Sequence, residues 1–266
     1  MTLIDTKLRY YLNNKKVVKV ITGLSNVNVS DVVKTVKAAE IAKATYVDVA
    51  SNPKLVKILK SLTTLPICVS SIEPQDLYEC SLAGADVFEI GNFDAFYNKN
   101  LFITAPQVLK LVKEVKLLLG NKPICVTIPH TLLLSEQVDL ARKIQKMGVT
   151  MIQTEGYTSK SSRLLNSHSV IARSAYCASL ALSSSYTLFR DLNTPIIASS
   201  GLNHISTPLA LLCGASGIGI GSALTYCQSI SSKAEFISQI VSTLNKHQTL
   251  SFPYLQVGQT SGVPYI

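Results

Sequence analysis

Along this chain the spacing of apolar positions changes back and forth between two periods. Short runs rich in Val, Ile and Thr, ending in Gly, Ser or Pro, alternate with longer stretches whose apolar residues recur every three or four positions. The first pattern fits a buried strand and the second a helix with one apolar stripe, so the alternation predicts βα units around a parallel sheet. The strands are read at 17–24, 45–51, 65–72, 86–91, 123–130, 150–156, 194–200 and 217–221. Ser30 is placed to cap the first crossover helix, and Pro53, Pro74 and Pro208 stand where a first helical turn tolerates a missing N–H. Right-handed crossovers in consecutive units close most naturally into a (β/α)8 TIM barrel, with an open doubly wound sheet as the alternative. The fold class is therefore α/β, one domain over residues 1–266, with an N-terminal helical segment at 1–16.

Two connections exceed the usual βα loop of about 2 to 6 residues: 92–103 and 157–169. Both follow strand C-termini, the face where barrels place their chemistry, and are read as active-site lids. Phe93, Phe96 and Tyr97, read as exposed, leave a subunit contact open. The tail at 248–266 holds too many apolar and aromatic residues for a free end, and is expected to pack on the barrel or on a second copy in a homo-oligomer.

A polar residue inside a barrel strand is housed most easily in the lumen. That rule sends Lys19, Asp48, Ser70, Glu89, Thr127, Gln153, Glu155 and Ser199 inward. The carboxylates Asp48, Glu89 and Glu155 lie within or at the end of strands, where a charge is costly unless paired or functional. Lys19 is their natural counterion. It is an ion-pair partner ordering the barrel floor, a general acid, or a Schiff-base amine. Glu89 and Glu155 stand nearer strand ends, where proton transfer is more credible, and His130 closes the fifth strand at the same face as acid, base or loop-ordering donor. No fixed-spacing ligand motif accompanies these residues, so no metal site is expected.

The last two units carry the sharpest signal, ASSGLN at 198–203 and GASGIGIGSAL at 214–224. Small residues there let backbone N–H groups approach an anion, and Ser199, Gly201, Gly219, Gly221 and Ser222 are the candidate phosphate-binding set. Close packing of a Gly-rich last strand is the competing explanation.

Composition adds limits. The 266 residues, 47% apolar, can bury a large core, which excludes disordered and disulfide-stapled classes. The net charge of +9 is carried mainly by lysines such as Lys34, Lys37, Lys54, Lys57, Lys60, Lys110, Lys113 and Lys116, whose spacing reads as solvated helix faces rather than a nucleic-acid stripe. Six cysteines without C-x-x-C spacing read as reduced thiols, and neither a signal peptide nor a membrane span is expected. The Lys-heavy, Arg-poor composition fits an AT-rich coding genome such as an organelle's.

The two Gly-rich segments resemble the phosphate-binding signature of aldolase-type barrels, a group that includes ribulose-phosphate-binding enzymes, thiazole synthase and FMN-dependent oxidoreductases. Over its whole length the chain resembles the hypothetical chloroplast open reading frame twenty-three family. The matching pieces are KVITGL at 19–24, ATYVDVA at 44–50, LPICVSSIEP at 65–74, EIGNFDAFY at 89–97, ICVTIPH at 124–130, MIQTEG at 151–156 and GIGIGSAL. That resemblance implies a soluble stromal plastid protein with an aldolase-type barrel and supplies no catalytic residues. The late-strand lysine of class I aldolases has no counterpart in MIQTEG. The expected function is binding of a phosphorylated small metabolite with lyase, isomerase or condensing chemistry. The alternatives are a non-catalytic sensor or transcriptional regulator and an FMN-dependent oxidoreductase.

Overall fold

The computed structural model describes residues 3–23, 26–91, 93, 97, 102–156 and 169–247. Eight parallel strands close into a barrel in chain order. They are β1 (Val17–Ile21), β2 (Tyr46–Ala50), β3 (Ile67–Ser71), β4 (Val87–Ile90), β5 (Ile124–Ile128), β6 (Met151–Thr154), β7 (Ile196–Ser199) and β8 (Gly217–Ile220). Helix α1 (Leu3–Asn13) precedes them. The crossovers are α2 (Val29–Ile41), α3 (Pro53–Lys60), α4 (Pro74–Leu82), α5 (Ala105–Leu119), α6 (Leu134–Lys146), α7 (Val170–Asp191) and α8 (Thr207–Leu212), with α9 (Ile230–His247) after β8 and a 3-10 turn at Ser222–Tyr226 between those two. Each strand falls inside its predicted span, shorter because the parallel ladder stops where the chain turns over the rim.

Local chemistry sets the helix starts. Pro53 opens α3, and the Asn52 side chain accepts from the N–H groups of Lys54 and Leu55 at 3.0 and 3.1 Å, satisfying two donors that helix geometry orphans. The cap of α2 is Asn28 rather than the expected Ser30. Asn28 has extended backbone and its side-chain Oδ1 accepts from Asp31 N at 3.2 Å, so the helix starts two residues earlier.

The strand period of two sorts residues between two cores. Val18, Val20, Val47, Val49, Ile67, Val69, Phe88 and Ile90 point outward into a continuous apolar layer with the helices. The inward positions stack in tiers. At the N-terminal end Val17, Tyr46, Cys68, Val87, Cys125, Met151 and Ile197 form an apolar floor, sealed from below by Leu8 and Leu12 of α1. Burying each of these leucines contributes roughly 1.5–3 kcal/mol, enough to hold an amphipathic helix across the barrel end. One step up each strand the lumen turns polar.

Candidate functional site at the barrel mouth

The second lumen tier is a closed set of polar side chains. Lys19 from β1 is fully buried, and its Nζ lies 2.9 Å from Asp48 Oδ2 of β2, 2.8 Å from Gln153 Oε1 of β6, and in hydrogen-bond contact with Glu89 Oε2 of β4. Its three donors thus meet three acceptors. Ser70 donates to Asp48 Oδ1 at 2.6 Å, while Thr127 and Gln153 donate to Glu89 Oε1 at 3.0 and 2.7 Å. A charge removed from water survives only with such pairing, and the full set draws on six strands. The Schiff-base alternative requires a free amine at Lys19, whereas this ammonium is engaged on every side.

Burial alone would pull the Lys19 ammonium down, yet Asp48 and then Glu89 carry it well above the ordinary Lys value. Burial pushes the Glu89 carboxyl up from its ordinary 4.5, opposed by the Lys19 charge. The sign of the consequence for stability follows from that direction. A carboxyl with a raised folded-state value gives a contribution fully present below the unfolded value near 4.5 and lost as pH rises through the folded value. Glu89→Gln removes this titration, so the stability difference between the native chain and the variant is expected to favour the native chain more at about pH 5 than at about pH 7.5. Urea unfolding at both pH values measures it; a flat difference would show that Glu89 keeps an ordinary carboxylate, and one that grows toward alkaline pH that Lys19 has lowered it instead.

Asp48, Cys68 and Glu89 bring ligand atoms within 4.8 Å of one another, a spacing suited to a metal ion. The cation that this group holds is the Lys19 ammonium, which contacts both carboxylates.

The third tier faces the C-terminal mouth. Glu155 follows β6 and is only 4% exposed. Its Oε1 accepts from the Tyr97 hydroxyl and from His130 N at 3.1 Å, with His130 Nδ1 at 3.3 Å, while its Oε2 has no hydrogen-bond partner among the described residues. Tyr97 meets the His130 ring edge to face at 4.9 Å and stacks on Phe102 at 5.7 Å. Phe93 and Tyr97, expected to be exposed, are buried, because Phe93 joins the outer apolar core and Tyr97 closes over Glu155. Phe96, most of both long connections and the 248–266 tail lie outside the described residues. Sequence reasoning placed Glu155 and His130 at this face and missed Tyr97. Its only signal was an aromatic residue after a strand end.

The expected phosphate set is gathered on the β7 and β8 side. Ser199 and Gly219 face each other across paired strands, and a Cβ on Gly219 would stand 2.8 Å from Ser199 Oγ. Ser200 and Gly201 both have positive φ, +81° and +70°. Gly201 is required by packing as well, since a Cβ there would lie 2.0 Å from the Cys177 carbonyl oxygen of α7. Gly221 leads into the 3-10 turn, whose first residue, Ser222, is exposed at the rim.

Known proteins share this architecture. Residues 4–250 match the family described as "Protein of unknown function (DUF561)". The chain is 44% identical over 251 residues to "Uncharacterized protein ycf23" of Antithamnion sp., covering 92% of this chain and 91% of that one. It is 35% identical over 247 residues to the protein of the same name from Porphyra purpurea, covering 93% and 92%. Among solved structures, thiamine phosphate pyrophosphorylase from Pyrococcus furiosus superposes with TM-score 0.59 at 17% identity, covering 89% of this chain and 98% of that one. (S)-3-O-geranylgeranylglyceryl phosphate synthase from Thermoplasma acidophilum, in complex with its substrate sn-glycerol-1-phosphate, superposes with TM-score 0.61 at 14% identity, covering 92% and 99%. At these identities the likeness is one of fold, an aldolase-type TIM barrel.

Proposed function

We propose, from the premise that this chain belongs to the DUF561 family, that it is an enzyme which binds a phosphorylated small metabolite at the barrel mouth and moves a proton on it. The observation that carries the reading is Glu155. It is a buried carboxylate with one oxygen oriented by Tyr97 and His130 and the other unengaged among the described residues. Such a group is a general base with its geometry already set. Lys19, Asp48 and Glu89 lie beneath it, and the Lys19 ammonium held among them sets the field in which a developing carbanion or enolate would form.

The phosphate is assigned to the turns after β7 and β8, with Ser199, Gly201, Gly219, Gly221 and Ser222 around it. Support comes from two fold neighbours, a thiamine phosphate pyrophosphorylase and a synthase holding sn-glycerol-1-phosphate. Proton transfer beside an anchored phosphate suits lyase, isomerase or condensing chemistry. A plastid setting accords with algal relatives bearing the ycf23 name, and among the described residues no helix is long and apolar enough to cross a membrane.

The test is a thermal-shift panel of sugar and polyol phosphates, with FMN included, on the native chain and on Ser222→Asp. The new carboxylate sits at an exposed first turn, where it does not disturb the fold but repels an anion. At least one phosphorylated compound is expected to stabilise the native chain and to lose that effect in the variant. A panel with no stabilising compound, or an undiminished effect in Ser222→Asp, overturns the assignment. Stabilisation by FMN alone would favour the oxidoreductase alternative, and a ligand recovered unchanged after incubation would favour the sensor.

A further inference from the structure

A second polar recess lies outside the lumen, between β1 and β8. It is a cleft of about 370 Å³ bounded by the loop after β1, the first turns of α2 and α9, and the 3-10 turn. Its walls include Thr22, Asn26, Lys34, Thr35, Gly221 and Lys233. Lys233, in the first turns of α9, is 8% exposed, and Nζ has a single hydrogen bond among the described residues, to Thr35 Oγ1 at 2.8 Å. Asp31 is the carboxylate nearest to it, at 3.9 Å, beyond hydrogen-bond length, and is itself half exposed and tied to Asn26 Nδ2 at 2.7 Å.

An ammonium has three donors, and burying one with donors unmet costs free energy unless something on the cleft side accepts from it. Lys34 adds a second cation at the rim with its side chain exposed. With Asp31 counted, the cleft carries a net single positive charge, and its size exceeds what a lone structural tie between α2 and α9 needs. We infer that this cleft is a second binding site, for the oxyanion of a small metabolite, in which Lys233 and Lys34 are the cationic contacts. Asp31, on the same wall, accepts from a hydroxyl on the bound molecule. The cleft shares Gly221 and the 3-10 turn after β8 with the phosphate set proposed above, but its cations come from α2 and α9, so it takes its own anion whether or not the proposed activity holds.

Titration of the isotope-labelled full chain with inorganic phosphate at fixed ionic strength tests it by amide shifts. Saturable shifts are expected at residues 26–35 and 225–233. Lys233→Met is the obvious variant but removes a buried tie, so the decisive one is the exposed Lys34→Glu, expected to weaken phosphate by about tenfold or more. Lys37→Glu, one turn along the same exposed helix face, is the charge-matched control and should change affinity by less than about twofold. Shifts confined to residues 200–202 and 222 overturn the inference. So does a Lys34→Glu effect no larger than that of Lys37→Glu, which would reduce the cleft to general attraction by a basic protein.

Discussion

Lys19→Met is expected to lower folding stability by roughly 3–5 kcal/mol, the range seen when one partner of a buried ion pair is removed. Methionine fills much of the same volume, so packing is conserved and the loss is electrostatic. Asp48 and Glu89 would remain in the lumen without a cation, Asp48 still accepting from Ser70 and Glu89 from Thr127 and Gln153 but with net charge uncompensated. The accompanying test is the double variant Lys19→Met with Glu89→Gln, which discards one of the stranded charges and should recover at least about 1 kcal/mol of the loss. Urea unfolding followed by circular dichroism measures both chains. If Lys19→Met fails to accumulate folded, the double variant still decides the matter by folding where the single one does not. A single variant within about 1 kcal/mol of the native chain would mean that solvent reaches this tier and that the pairing is not what holds it.

Gly201→Ala should cost about 3 kcal/mol, more than a glycine substitution made for conformation alone. Two effects add. The φ of +70° penalises any residue with a Cβ by about 1–2 kcal/mol, and the Cβ would collide at 2.0 Å with the Cys177 carbonyl, a helix backbone atom that cannot turn aside. Gly148 separates them. It has the same φ of +70°, but the nearest atom to a Cβ there is the mobile Lys116 Nζ at 3.5 Å. Gly148→Ala thus reports the conformational part, and the excess in Gly201→Ala reports the contact with α7. Equal losses in the two variants would show that the β7 turn is not pinned against that helix. A larger loss at Gly201 would show that the turn carrying the proposed phosphate donors is held from behind.

Much of this architecture is legible in the sequence. The alternation of periods located all eight strands, because a residue's face in a closed barrel follows directly from its parity along the strand. The same parity placed Lys19, Asp48, Ser70, Glu89, Thr127, Gln153, Glu155 and Ser199 inward, and all are buried. What parity cannot supply is partnership across the lumen. That Lys19 reaches β4 and β6 as well as β2 depends on the stagger and diameter of the barrel, which no local pattern encodes. Tyr97 and Lys233 were invisible for a related reason. Tyr97 lies in a connection after a strand, where strand parity says nothing about which side chain turns back over the lumen, and Lys233 looks like any lysine on an amphipathic helix until α2 is seen packed beside it.

The plug formed by Leu8 and Leu12 beneath the floor has a consequence for traffic. With one end of the barrel stoppered by hydrocarbon, water has no polar path to the ion-paired tier from that side.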